Sequence, residues 1–216
     1  MQYYLTFVRH GSYGSDKSLT EEGMSQLCLS AFMMKDIVTG NLKNMPFLNM
    51  PLPSILFTSQ IKRAKESSHL FCHQLKELGI NLPLNENISC LDPLDEVMTI
   101  KTDPQKRVAP NEVERLIQTD FYREMVQFIK GHLTPKDRHL ILLTHKPNIE
   151  LAALCFSDGY KRGRLKIGNG DIYTIEISDP ESLGKKKCPS FHQALPRFDE
   201  EKIIHSLCHK RRAKSL

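Results

Sequence analysis

The chain has 216 residues, 40% hydrophobic and 25% charged, with a formal net charge of +5. That size supports a core that folds without disulfides or metal, as one domain or two small ones. No stretch reaches the ~18 to 20 consecutive apolar residues of a membrane helix, and "MQYYLTFVRH" lacks the basic start and small-residue cleavage site of a signal peptide.

The expectation is therefore a cytoplasmic protein with no membrane insertion. Six cysteines are widely spaced with no C-x-x-C between them, which reads as reduced core thiols rather than a disulfide frame. Charge is uneven. Residues 185 to 216 hold nine Lys/Arg against three Asp/Glu, a balance of +6, so the other 184 residues sum to −1. The basicity belongs to a C-terminal extension, a candidate dock for an acidic partner, and does not argue for nucleic-acid binding.

In chain order, "YYLTFV" (3 to 8) is a short β-rich apolar run that predicts a buried strand. A helix follows, with Met24, Leu27, Ala31, Met34 and Val38 at helical spacing, Thr20 as N-cap, and Glu21 and Glu22 where the helix dipole favours acids. Ile55 to Thr58 predicts a second strand. Behind it Ile61, Ala64, Phe71, Leu75 and Leu78 line one face of a second helix, with Gly79 as its stop. Residues 80 to 110 hold four prolines and mixed charge, and read as an inserted loop region of the kind that carries specificity.

"NEVERLIQTDFYREMVQFIKGHL" predicts a third helical stretch bent near Thr119. "HLILLT" (139 to 144) is the clearest buried strand, and "NIELAALCF" is a short helix after it. "GRLKIGNGDIYTIEIS" predicts a hairpin turning at Asn169-Gly170. Near the C-terminus, Cys188, His192, His205, Cys208 and His209 lie close together, but their spacings do not match a standard zinc finger, and surface histidines are the better reading. Strands alternating with helices predict an α/β protein.

Three strands share one feature: each is followed within a few residues by cationic or imidazole side chains. The first leads into Arg9 and His10, the second into Arg63, and "HLILLT" into His145. Parallel strands of one open α/β sheet present their carboxyl ends at a common edge, where ligands bind. Two arginines and two histidines gathered there, with no obvious acid, call for an anion. Phosphate fits, because the guanidinium fork matches its oxygens in bidentate fashion. Helix N-termini after Gly11 and around Ser59 are expected to add backbone N–H donors.

The motifs at these strand ends resemble those of the histidine phosphatase superfamily, the phosphoglycerate mutase-like fold. "FVRHGS" resembles its R-H-G, "LTEEG" its L-T-x-x-G, and "FTSQIKRAKES" its S-x-x-x-R-A-x-x-[ST]. "LLTHKPNIELAAL" resembles the second histidine block, in wording closest to phosphohistidine phosphatases. The matches are ordered and span residues 3 to about 177. The resemblance implies a three-layer α/β/α sandwich with a mostly parallel central sheet and a catalytic domain over 1–184, and the charge balance sets off a basic, partly helical extension over 185–216.

It also implies that His10 is the nucleophile, forming a transient phosphohistidine. Arg9, Arg63 and His145 then clamp the phosphate, with no metal and no cofactor. "PLDEV" offers an L-x-E pattern that makes Glu96 the candidate proton donor to the leaving group, with Asp95 as fallback and Asp92 and Glu86 nearby. Phosphohistidine phosphatases manage without such an acid. Lys146 stands where the acid phosphatase branch has Asp, which argues against that branch, and as a long amphipathic side chain it is expected to reach solvent. The short loop "SYGSDKS" and the absence of Trp argue against a mutase. The expectation is a phosphatase acting on a phosphorylated small molecule or phosphoprotein. The alternatives are an inactive phosphate-binding module of the same fold and, less favoured, a phosphoglycerate mutase.

Overall fold

A computed structural model describes residues 1–40, 53–92, 118–157, 166–185 and 187–195. Its described part is a six-stranded sheet with helices on both faces. Strand β1 spans Tyr3–Arg9, helix α1 Glu21–Thr39, β2 Ser54–Thr58, α2 Lys62–Glu77, β3 Leu84–Asn85 and α3 Asp120–His132. They are followed by β4 His139–Thr144, α4 Lys146–Phe156, β5 Ile172–Ile177 and β6 Ser190–Gln193. The sheet order is β3-β2-β4-β1-β5-β6. β3, β2, β4 and β1 run parallel, whereas β5 at one side is antiparallel to β1 and β6 is antiparallel to β5.

Why the central strands read as continuous apolar runs is plain from their surroundings. Both faces of β1 and β4 are covered, so every position along them must tolerate burial. In β1, Leu5 and Phe7 pack with Leu140, Leu142 and the residues of α3 and α4, including Met125, Ile129 and Ile149. Tyr4 and Val8 point the other way, with Ile141 and Leu143, onto Ala31 and Met34 of α1 and Phe71 and Leu75 of α2. This is the three-layer α/β/α sandwich expected from the sequence. Polar residues inside it are paired: His139 reaches Thr6 Oγ1 through Nε2 at 2.8 Å and Ser54 Oγ through Nδ1 at 2.9 Å. Paired in this way, the imidazole avoids most of the cost of burying a polar group.

The helix signals act as the sequence suggests. The Thr20 side chain accepts from Gly23 N–H, and Gly40 closes α1 in the left-handed conformation at φ 73°. Thr119, expected as a bend, is the N-cap of α3 and accepts from Tyr122 N–H. Met24, assigned to the buried face of α1, is instead 41% exposed.

Three further expectations are refined. Of the stretch read as an inserted loop region over 80–110, residues 93–110 lie outside the described residues, and the rest contributes a two-residue edge strand, β3, and the turn Ser89–Leu91 with Cys90 and Leu91 buried. The Asn169-Gly170 turn does not join two hairpin arms. Lys166–Gly168 form no strand, and β5 instead pairs with β1 and β6. The turn signal was real, with Gly170 at φ 78°, but it sends the chain back onto the arginine end of β1 through Gly170 N–H to Arg9 O, 3.1 Å. Finally, β6 lies within the segment assigned to the basic extension, so the sheet runs on to Gln193. His192 donates to Asp171 Oδ2 at 3.0 Å and Leu195 N–H to Asp171 Oδ1 at 2.7 Å, which ties this strand to the core. Cys72, Cys90 and Cys155 are unpaired thiols, and burial pushes each up to about 11. No helix among the described residues is long and apolar enough to cross a membrane.

Candidate active site

The sheet topology creates the site. Strand β1 leads to α1 on one face, while its neighbour β4 leads to α4 on the other, so the connections diverge and leave a crevice at the strand ends. Strand β2, on the far side of β4, leads to α2. Register then brings the three ends level, with Arg9 opposite Thr144 and Thr58 opposite Leu143. The residues just past those ends are His10, His145 and Ser59. Backbone bonds lock them: His10 N–H to Thr144 O at 3.1 Å and Ser59 N–H to Leu143 O at 3.3 Å.

His10 and His145 face each other with ring centroids 4.9 Å apart, and they are 3% and 1% exposed. Arg63, on the first turn of α2, brings its Nε–H to His10 Nε2 at 3.3 Å. His10 Nδ1 lies 2.8 Å from Gly11 O. A carbonyl only accepts, so Nδ1 carries the proton and Nε2 presents the lone pair. Burial, with Arg9 and Arg63 adding to it, pushes the His10 imidazole down to about 4 despite that backbone bond. Burial likewise pushes His145 down to about 2, helped by His10, Arg63 and Arg9. Both rings are neutral at physiological pH.

Arg9 donates through Nη1 to Ile167 O at 2.7 Å, while its Nε is buried with no hydrogen-bond partner among the described residues. Burial lowers its pKa, opposed by the nearby carboxylates of Asp171 and Glu150. Acids the sequence reading did not place beside Arg9 therefore offset part of its charge. Lys146, expected to reach solvent, pairs with Glu150 Oε1 at 3.5 Å. Glu96 and Asp95, the candidate acids, lie outside the described residues, as do His205, Cys208 and His209. Among the described residues no group of three or more His, Cys, Asp or Glu is placed to hold a metal ion.

The loop after Gly11 is held by contact between two backbones. A Cβ on Gly11 would sit 2.6 Å from Gly23 O, and one on Gly23 only 2.1 Å from Ser12 O. No real Cβ tolerates such distances, which gives the glycine of "LTEEG" a physical reason. Helix α1 begins at Glu21, and its first turn packs on Gly11 at Gly23. Helix α2 begins close by, at Lys62.

Sequence reading did not single out Tyr13 or Asn148, and it named Ser59 and Asp92 without placing them beside His145. Tyr13 stands with its ring 5.3 Å from that of His10 and under the Arg63 guanidinium, 4.8 Å from ring centre to Cζ, while 44% exposed. Ser59 lies 3.0 Å from His145 Nε2 and 2.5 Å from Asp92 Oδ1. Asn148 stitches the Leu91–Asp92 segment to β4 through Leu91 O at 2.8 Å and Thr144 Oγ1 at 2.9 Å.

No protein-family model matches the chain, and no curated protein matches it by sequence. Solved structures do match it. A protein histidine phosphatase SixA complexed with tungstate is 14% identical, over 90% of this chain and 97% of that one, with TM-score 0.56. A mycobacterial glucosyl-3-phosphoglycerate phosphatase is 16% identical, over 88% and 97%, with TM-score 0.52. The phosphoglycerate mutase of Plasmodium falciparum is 14% identical, over 91% of each, with TM-score 0.50. The chain has the phosphoglycerate mutase-like fold. At these identities the likeness is one of architecture.

Proposed function

We propose that the protein is a phosphatase that hydrolyses a phosphomonoester or phosphohistidine through a covalent phosphohistidine on His10. The observation that carries this reading is the pairing of His10 Nδ1 with Gly11 O while Arg63 Nε–H addresses Nε2. An imidazole held in that tautomer, and kept neutral by burial and two guanidiniums, has its lone pair available for phosphorus.

In the first step His10 Nε2 attacks the phosphoryl group. The P–O or P–N bond to the leaving group breaks, and the leaving group carries off the electron pair and gains a proton. Arg63 releases Nε2 and, with Arg9, meets the charge on the phosphoryl oxygens. Water then attacks the phosphohistidine, and inorganic phosphate departs with His10 restored. Glu96 is the candidate proton donor for an alcohol leaving group. An imidazole leaving group is less demanding.

The Arg63 Nε–H bond to the attacking nitrogen favours a second reading, in which the cluster binds phosphate without turning it over. Assays with para-nitrophenyl phosphate and with phosphohistidine peptides separate the two. The phosphatase reading predicts turnover that is lost in His10→Ala. Tight phosphate binding with no His10-dependent release would leave the binding module.

A further inference from the structure

Two atoms near His145 constrain its protons. Ser59 Oγ lies between Asp92 Oδ1, at 2.5 Å, and His145 Nε2, at 3.0 Å. A hydroxyl has one proton. The Asp92 carboxylate can only accept, so the Ser59 proton goes to Asp92, and the lone pairs of Ser59 Oγ face His145 Nε2 and Ile61 N–H, 3.2 Å away. His145 Nε2 must therefore carry the ring's proton. Its Nδ1 is left as a bare lone pair, buried and with no hydrogen-bond partner among the described residues. A bare lone pair repels a phosphoryl oxygen instead of holding it.

We propose that Asp92 anchors a relay, Asp92–Ser59–His145, which fixes His145 as the Nε2–H tautomer and makes Nδ1 take up a proton as phosphate binds. This rests on reading the site as a phosphate site. The proton comes from solvent or from a monoanionic phosphate, and it leaves with inorganic phosphate at the end of the cycle. The resulting imidazolium donates through Nδ1–H to a phosphoryl oxygen and through Nε2–H to Ser59, with the Asp92 charge behind it. Asp92 is a positioning residue, because it acts on the substrate only through His145.

The other charges around the ring set what this anchor must offset. From β1, Arg9 and the neighbouring His10 oppose a charged His145, and from α2 Arg63 does the same. On its own helix, Lys146 and Glu150 pair with each other. Asp92, reaching it through Ser59, is the acid linked to the ring by hydrogen bonds. Gln60 holds that carboxylate in place through its backbone N–H to Oδ1 at 3.1 Å and its amide to Oδ2 at 2.5 Å.

The test is the inhibition constant of inorganic phosphate against para-nitrophenyl phosphate hydrolysis, measured from pH 5 to 9 for wild type, Asp92→Asn and Ser59→Ala. Asn keeps the shape and can still accept from Ser59, and exposed Gln60 can turn its amide to suit. The free ring is neutral over this range and each binding event leaves one proton on Nδ1, so affinity expressed per free phosphate dianion should fall about tenfold per pH unit in wild type and level off once the complex's histidine titrates. In Asp92→Asn that levelling should come at least one unit lower, with affinity about tenfold weaker or more on the falling limb and equal to wild type on the plateau above it. Ser59→Ala should move the levelling point in the same direction. A levelling point unmoved in Asp92→Asn, or a loss that persists equally on the plateau, overturns the relay while leaving the phosphate site standing. Absence of phosphate inhibition and turnover in wild type would instead remove the functional reading itself. Should the variants not fold, nitrogen-15 NMR of wild-type His145 decides: the relay requires Nε2–H alone in the free protein and both nitrogens protonated with phosphate. An Nδ1–H tautomer, or a neutral ring in the complex, contradicts it.

Discussion

Arg63 shows at the scale of one residue how much the site asks of a side chain. Its guanidinium sits over Tyr13 and donates through Nε to His10, so one planar group contacts an aromatic face and an imidazole nitrogen at once. Lysine has neither the fork nor the flat face. Arg63→Lys should therefore keep its charge and still lose about 10²-fold in kcat with para-nitrophenyl phosphate, on the order of 3 kcal/mol of barrier. A variant within twofold of wild type would show that only the charge matters. Arg9, His10, Arg63 and His145 were legible in the sequence because each follows an apolar strand closely. Ser59 and Asp92 were not legible as a pair. They are 33 residues apart, and it is long-range bonds such as those of Asn148 and Thr144 to Leu91 O that bring that segment beside His145. Local pattern carries no sign of such a contact.

The elements were read well where one periodicity ruled and poorly where turn chemistry stood alone. The apolar runs of β1 and β4 and the capping threonine of α1 mark elements that exist as expected, whereas Thr119, read as a bend, caps the start of α3. The Asn-Gly turn suggested a hairpin, since its φ preference is local while the choice of partner strand is not. Strand β6 escaped notice because four half-buried residues after a lysine run have no pattern of their own. At this scale the contact between the loop after β1 and the first turn of α1 decides how His10 is presented. Gly23→Ala should force Ser12 away and destabilise the fold by about 1 to 3 kcal/mol, as overpacking does. Urea unfolding would measure the stability loss, and kcat should fall in the same variant because Gly11 moves with Ser12. An unchanged unfolding midpoint would mean the backbones separate at no cost.

Across the whole molecule, the sheet buries three imidazoles in neutral form: His10 and His145 at the strand ends and His139 between Thr6 and Ser54. Burial depresses them to about 4, 2 and 3 respectively, below the roughly 6.5 of an unfolded histidine. The unfolded chain therefore binds protons first as pH falls. Their contribution to stability is complete above about pH 6.5 and is lost on acidification toward pH 4, at up to about 1.4 kcal/mol per pH unit for each ring. Urea midpoints at pH 7 and pH 5 check this, and the midpoint should drop clearly at the lower value. Equal midpoints would contradict neutral burial of these rings.

The phosphatase reading depends on His10 accepting a phosphoryl group. The direct measurement is to mix the protein with excess para-nitrophenyl phosphate, quench within the first turnover into alkali, where phosphohistidine survives, and locate the phosphate by mass spectrometry. The account predicts phosphate on His10, absent in His10→Ala. Turnover with His10 unmodified at every quench time, or phosphate found on another residue, would contradict it.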